Sequence, residues 1–491
     1  MRVERGVFKD SLDRQVILHG MNWVNKDRAS NLKFPQTLED FKLMRNWGVN
    51  CIRLGITWSA LEPQPGQYDM PYLQRLLKCV RWAKENGIYI LLDMHQDLYG
   101  EKFGNGAPLW ATLDNGLPHQ ATEVWDDAYY TSPAIKTSFD NFWKNLPATD
   151  GVGIQQHLVN AWQFVGKYFA DQTNVVGFDI MNEPFIGGAV DTVQETFLTE
   201  LVKLYQQDGK AISPEELFSK WTSTTGREEI MNRLNDTIAF KNVINATEPF
   251  YARFEQEELM PFYQRVYDAI RQVNTNHMFF TEPSVSANIG IYSHISLFKA
   301  NIKNIQQVYA PHAYDLVTDT KFVDNASFTR LELIYKQEQK KANEMNLPLM
   351  IGEWGAFYGA SKEVVSVAAF SAKIQEQLLC SDLYWSYSSD LQNRLFFPSI
   401  NRAYPMATVG KLIFYRYDVE KHMLTIKWKE VANAKAGTLI FIPSTTFSVQ
   451  LQRRESLPIY KIDKMDKNAL LLQIKPLGKS VERSLCIKIG E

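Results

Sequence analysis

The chain has 491 residues, 45% of them hydrophobic and 22% charged, with a formal net charge of −2. That length exceeds one ordinary domain and allows a large core. The balanced charge excludes the broad basic field that nucleic acid or an anionic membrane would require.

No run of 18 or more apolar residues is present, and the charged start Met1–Gly6 lacks an apolar leader region, so the chain as written is expected in the cytoplasm, or outside the cell if a leader has been removed. The four cysteines, Cys51, Cys79, Cys380 and Cys486, are far apart and show no zinc-site spacing. Cys51 and Cys79 fall in apolar runs and are expected as buried free thiols.

In chain order the candidate strands are Val16–His19, Cys51–Ile56, Tyr89–His95, Val175–Asn182, Met278–Glu282, Val308–Tyr314, Leu349–Glu353 and Leu383–Tyr387. Helical spacing occupies intervening stretches such as Leu38–Trp47 and Tyr72–Asn86, the second closed by Gly87 as a C-cap. Eight strands alternating with helices predict the α/β class and a (β/α)8, or TIM, barrel. Residues 98–150, rich in aromatic residues, Pro and Gly, should cover the barrel mouth. Residues 186–262 read as a helical insertion, including Glu195–Gln206 and Pro214–Trp221, that is either a solvated surface element or a lid over a groove.

Beyond Tyr404-Pro405 the texture changes to short alternating runs: Met423–Trp428, Gly437–Pro443, Phe447–Leu451, Ala469–Ile474 and Ser484–Ile489. These predict a C-terminal antiparallel β-sandwich over 411–491, after a barrel domain over 1–405.

Two of the barrel strands stop at a glutamate, in Asp179-Ile180-Met181-Asn182-Glu183-Pro184 and in Met350-Ile351-Gly352-Glu353-Trp354. Strand C-termini share the mouth where barrel enzymes react their substrates. Two facing carboxyls there suit glycosidic bond cleavage, with one protonated acid and one ionised nucleophile about 5–5.5 Å apart in a retaining enzyme. Asn182 beside Glu183 can hold a sugar 2-hydroxyl, and His312 and Tyr314 can hold and charge the nucleophile. Such a mechanism requires no metal and no cofactor.

These motifs resemble glycoside hydrolase family 5, with Asn182-Glu183-Pro184 on the fourth strand and Glu353 on the seventh. The resemblance implies that Glu183 is the acid/base and Glu353 the nucleophile. It implies that Arg53 orients Glu353, Asn182 binds the 2-hydroxyl, and Trp385 stacks under the sugar. His95, His312 and Tyr314 would complete the polar surround. The stretch Leu92–Gly100, continuing through Phe103–Ala111, is similar to the endoglycoceramidase branch, as is Asn401–Pro405. That implies a sugar-hydroxyl role for Asp97 and a glycolipid or other β-glycoside substrate. Relatives in that branch release single glucose units from glucosylceramide or steryl glucosides. The segment Met21–Arg28 and the length of the 186–262 insertion depart from the secreted members, which leaves endo and exo cleavage both open.

Aromatic residues flanking strand ends, including Tyr99, Phe103, Trp110, Trp125, Phe185 and Phe357-Tyr358, either pack long loops or form an apolar groove for an acyl chain or sterol. The second use would give transient contact with a lipid surface. No nucleic-acid partner is expected.

Overall fold

The computed structural model describes the chain apart from residues 28–35, 123, 301–304, 319, 321, 358–360, 451–459, 466–467 and 491. Arg28, Tyr358 and Leu451 therefore lie outside the described residues.

Eight parallel strands form one sheet: β1 (His19–Trp23), β2 (Cys51–Thr57), β3 (Tyr89–His95), β4 (Val175–Asp179), β5 (Met278–Thr281), β6 (Gln307–Tyr309), β7 (Met350–Gly355) and β8 (Ser381–Trp385). Bridges from Tyr309 to Leu349 and from Ala313 to Trp354 close β6 onto β7, completing the barrel. The strands are apolar along most of their length because helices cover the outside and side chains fill the inside. All seven residues of β2 are buried.

The first barrel strand begins later than Val16–His19. Arg14–Val16 instead pairs with Tyr404–Val409 in a different sheet, and the barrel strand starts at His19. Ile17 and Leu18 are apolar because they cross buried between two sheets, so hydrophobicity alone does not mark the register. Gly20 is required inside β1, since a Cβ there would lie 1.6 Å from the Cys51 carbonyl oxygen. β4 and β6 are shorter than expected, ending at Asp179 and Tyr309, and β8 runs over Ser381–Trp385.

The insertion folds as helices Val190–Gln207, Pro214–Thr222, Thr224–Arg233 and Thr237–Phe254, then one π turn, Glu255–Leu259, before Met260–Arg271. Ser213 and Glu216 form a capping box at the second helix, and Asp236 caps the fourth. Among the described residues no helix is long and apolar enough to cross a membrane. All four cysteines are buried and unpaired.

The C-terminal strands form two antiparallel sheets. One has four strands, Lys411–Asp418, Met423–Glu430, Val481–Ile489 and Phe447–Gln450 in spatial order. The other has seven, and its first three, Arg2–Glu4, Val7–Lys9 and Arg14–Val16, come from the N-terminus. Between them sits an apolar core with Trp428, Leu424, Ile440, Phe441, Leu472 and Ile487.

A buried polar knot joins this unit to the barrel. Asp382 on β8 accepts from Arg402 Nη2 (2.9 Å), Trp354 Nε1 (3.1 Å) and His19 Nδ1 (3.0 Å). Arg402, 2% exposed, also donates to the Ser399 carbonyl and to Gln375. Removing one member of such a buried pair leaves a charge without compensation. Arg402→Met should therefore lower stability by about 3–5 kcal/mol, measured by urea unfolding at neutral pH. Adding Asp382→Asn should recover part of that loss.

Candidate active site

Arg53 sits midway along β2 with no exposed surface. Its guanidinium donates to Asp179 on β4 (2.8 Å), Asp93 on β3 (2.8 Å), Glu282 after β5 (2.7 Å) and Glu353 on β7 (2.6 Å). It also donates to Asn22 (3.1 Å) and Asn182 (2.9 Å). Asp179 shares this cage with other carboxyls, and burial plus the Glu282 charge push its pKa far above the ordinary carboxyl range.

The two strand-end glutamates meet across the mouth. Glu353 accepts from Arg53 Nη1 at Oε1 and from the Tyr314 hydroxyl at Oε2 (3.0 Å), the acceptor pattern of a carboxylate. Glu183 lies four residues beyond the end of β4 with φ +45°, a left-handed conformation that aims its side chain back across the barrel. The carbonyl of Met94 on β3 accepts from the Asn182 backbone N–H (3.0 Å), and Glu282 Oε2 accepts from the Glu183 backbone N–H (2.9 Å). One oxygen each of Glu183 and Glu353, with a ring nitrogen of His312, fall within 4.8 Å of one another.

His312 Nδ1 lies 2.9 Å from Glu183 Oε1 and 3.7 Å from Glu353 Oε2, and Nε2 lies 3.3 Å from Glu282. Burial opposes its charge, but Glu282, Glu353 and Glu183 outweigh this and raise its pKa well above the usual value. Burial likewise raises Glu183, yet the His312 hydrogen bond and charge prevail and hold that carboxyl below its ordinary value. Glu353 moves the other way, raised by burial against the pull of His312 and Arg53. Glu183 has the more exposed side chain, 13% against 6% for Glu353. Burial by a sugar covering the mouth would act on Glu183 in the direction opposite to His312, against its ionised form.

His95 and Asp97 leave the end of β3 on the opposite wall. His95 Nδ1 bonds Asp93 (2.9 Å), while Asp97 pairs with Lys26 (2.6 Å). Burial disfavours the Asp97 carboxylate, but Lys26 and His95 overcome it and leave the group ionised. The Trp385 ring stacks near-parallel with His95 and carries the Lys26 ammonium 4.5 Å from its centroid. The structure brings every site residue read from the sequence together: His95, Asp97, Asn182, Glu183, His312, Tyr314, Glu353 and Trp385 around the mouth, with Arg53 buried beneath them on β2.

A cavity of about 1240 Å³ opens beside the pair. Asp97, Glu183, Glu353 and Trp385 form its polar end, while Phe197, Leu198, Phe218, Trp221 and Met231 of the insertion roof the rest. Phe103, Trp125 and Phe185 also line it, whereas Tyr99, Trp110 and Phe357 pack against the core.

Sequence reasoning missed Glu282, Asn288, Asn22 and Lys26. Glu282-Pro283 ends β5 as Glu183-Pro184 follows β4, so a third strand-end carboxyl was visible but not distinguishable from the pair. Asn288 carried no signal; it lies in a short 3-10 turn, Val285–Ile289. Among the described residues two groups could gather a cation, Glu183/His312/Glu353 and Asp93/Asp179/Glu282. The second already surrounds the Arg53 guanidinium.

The sequence profile of cellulase (glycosyl hydrolase family 5) matches residues 13–212 and 219–391. The chain belongs to glycosyl hydrolase family 5. Residues 402–476 match the C-terminal domain profile of the same family. Among curated family 5 relatives, an endoglycoceramidase of Cyanea nozakii is 32% identical over 209 residues, 36% of this chain and 40% of the relative. A glucosylceramidase of Aspergillus fumigatus is 28% identical over 275 residues, 46% of this chain and 35% of the relative. The matches thus span less than half of those relatives. The solved endo-glycoceramidase II from Rhodococcus sp. superposes with a TM-score of 0.73 at 23% identity, covering 99% of this chain and all of that one, which establishes a shared fold.

His95 gives a stability test. Burial lowers its pKa, but Asp93 and Asp97 outweigh this and raise it to about 9 from an ordinary 6.5. A raised histidine stabilises the fold fully below pH 6.5, and the contribution is lost as pH rises through 9. Urea unfolding should register a loss of up to about 3 kcal/mol between pH 6 and pH 10. His95→Gln should flatten this dependence; an unchanged slope in the variant would contradict the ion-pair account.

Proposed function

We propose that this family 5 protein is a retaining β-glycosidase that hydrolyses the bond between sugar and lipid in glycolipids. The observation that carries the reaction type is the separation of the two glutamates, with oxygens within 4.8 Å. That matches the short carboxyl spacing of retaining enzymes and leaves no room for the water an inverting enzyme places between its carboxyls.

In the first step a Glu353 oxygen bonds the anomeric carbon as the bond to the leaving oxygen breaks, and Glu183 donates its proton to that oxygen. In the second, Glu183 takes a proton from water, the water oxygen bonds the anomeric carbon, and the ester to Glu353 breaks. Arg53 and Tyr314 hold both oxygens of the nucleophile in line. The side-chain amide of Asn182 gives one hydrogen to the Gln96 carbonyl (3.0 Å) and retains a second for a sugar 2-hydroxyl. His95, Asp97 and Trp385 form the wall against which the sugar rests.

The lipid reading is supported by the apolar roof of the cavity. A soluble oligosaccharide leaving group would gain little from Phe197, Leu198, Trp221 and Met231, whereas a ceramide or sterol buries apolar area against them. Trp125 and Phe218, 38% and 42% exposed, line the same cavity and would meet a lipid surface. The curated relatives named endoglycoceramidase and glucosylceramidase agree with that substrate class.

Glu353→Gln should retain the wild-type unfolding midpoint and lose turnover by on the order of 10³-fold or more. An active variant would refute the assignment. Product analysis on glucosylceramide and lactosylceramide side by side should release ceramide from at least one. Intact lactose marks endo cleavage, glucose from glucosylceramide alone marks single-sugar cleavage, and ceramide from neither overturns the lipid reading.

A further inference from the structure

The loop Pro283–His294 carries one residue that touches Glu183 directly and is linked to Glu353 through Tyr314. Asn288, 8% exposed, donates its side-chain amide to Glu183 Oε1 at 2.6 Å. Its carbonyl accepts from the Tyr314 backbone N–H (2.9 Å), and the Tyr314 hydroxyl in turn holds Glu353. The same loop is tied to the acid's own turn, where the Pro184 carbonyl accepts from Val285 N–H (3.0 Å).

What fastens this loop is a second carboxylate that takes no part in the chemistry above. Glu255 opens the π turn between two helices and is 1% exposed. Its Oε1 accepts from the Ser284 backbone N–H (2.8 Å) and hydroxyl (3.0 Å). Its Oε2 accepts from the Ser293 hydroxyl (3.0 Å) and the His294 backbone N–H. One buried group thus grips both ends of the loop. A buried carboxylate is tolerated only when its oxygens are satisfied, so these contacts hold the loop and the charge together. π turns recur at functional sites, where they displace a side chain from helical register.

We propose that Asn288, on a loop clamped by Glu255, is a positioning residue for Glu183: it occupies Oε1, leaves Oε2 to carry the working proton, and sets the pH range over which that proton is available. This rests on the retaining-glycosidase reading of the site. Oε1 already faces two donors, the Asn288 amide and His312 Nδ1 (2.9 Å). Two donors fill the lone pairs of that oxygen. Both of these donors are on Oε1 and neither is on Oε2, and Glu183 lines the cavity.

The groups that face Glu183 are His312 after β6, Glu353 on β7, Glu282 after β5, Asp97 after β3, and Tyr129 and Tyr130 on the helix Ala128–Thr131. His312 favours the ionised form of Glu183, and the carboxylates oppose it. Burial raises both tyrosines, which remain neutral. Asn288 has no charge and no titration of its own, so its removal changes one donated hydrogen bond.

The test is kcat/KM against pH for wild type, Asn288→Ala, the isosteric Asn288→Asp and Glu255→Gln. Two probes are used, dinitrophenyl β-glucoside, whose leaving group requires little protonation, and octyl β-glucoside, whose leaving group requires a full proton. Loss of the donor should destabilise the Glu183 carboxylate and move the alkaline limb of Asn288→Ala upward by about 0.7 pH unit, the equivalent of one neutral hydrogen bond. Turnover of the octyl substrate should fall by about 10-fold or more while the dinitrophenyl substrate changes by less than about 3-fold. Asn288→Asp, which keeps the shape and adds a like charge, should move the limb further, and it carries the test if the alanine variant does not fold. Glu255→Gln should shift the limb in the same direction by less. An unmoved limb, or equal losses on both substrates, would overturn the inference while leaving the glycosidase reading intact. A wild-type protein inactive on both probes and on glycolipid would overturn that reading itself, and this inference with it.

Discussion

A single guanidinium organises the reactive end of this barrel. Arg53 is a permanent cation with no access to water, and moving such a group from water is costly unless its donors are met. Four carboxyls and two amides meet them, contributed by or just after β1, β2's neighbour β3, β4, β5 and β7. The dependence is mutual, because the same guanidinium holds the Asp93, Asp179 and Glu282 carboxyls together. Five separate strand ends are thereby fixed relative to one point, and Glu353 and Asn182 inherit their placement from it.

Around that point the site is arranged so that charge can move with little motion of atoms. His312 stands between Glu183, Glu353 and Glu282, whose charges favour its protonated form against burial. Glu183 differs from its partner in kind. Glu353 is within a barrel strand with both oxygens held, whereas Glu183 lies past its strand in a left-handed conformation, fastened through its backbone by Glu282 and through one oxygen by its neighbours. That asymmetry suits a fixed nucleophile and an acid with one free oxygen.

The cavity shows how a common scaffold acquires a particular substrate. The polar end is built from residues at or just after strand termini. The apolar roof comes from the insertion between β4 and β5, whose helices carry Phe197, Leu198, Trp221 and Met231 inward while their capped ends stay polar. The sandwich, which borrows three strands from the N-terminus, meets the barrel from β8 and its preceding helix through Arg402, Asp382 and Glu376, with the Tyr417 N–H donating to Glu376.

Much of this was legible in the chain. The eight strand runs, the helix Tyr72–Asn86 with its glycine cap and the sandwich repeats follow from local periodicity and turn chemistry, which each segment carries by itself. So did the placement of Glu183, Glu353, Asn182, His95 and Trp385 at strand ends, because a polar residue closing an apolar run is a local signal. The register of the first strand was not legible, since Ile17 and Leu18 are buried by two different sheets. Nor was the role of Glu282, whose motif repeats that of Glu183 and whose confinement by Arg53 is set by residues distant in sequence. The sequence by itself determined the barrel, its second unit and the chemical type of the pair, all properties of short segments. Tertiary structure alone decided which carboxyls are caged and which face the cavity, that Asn288 reaches the acid, and that the insertion roofs a cleft, because each depends on contacts between elements far apart along the chain.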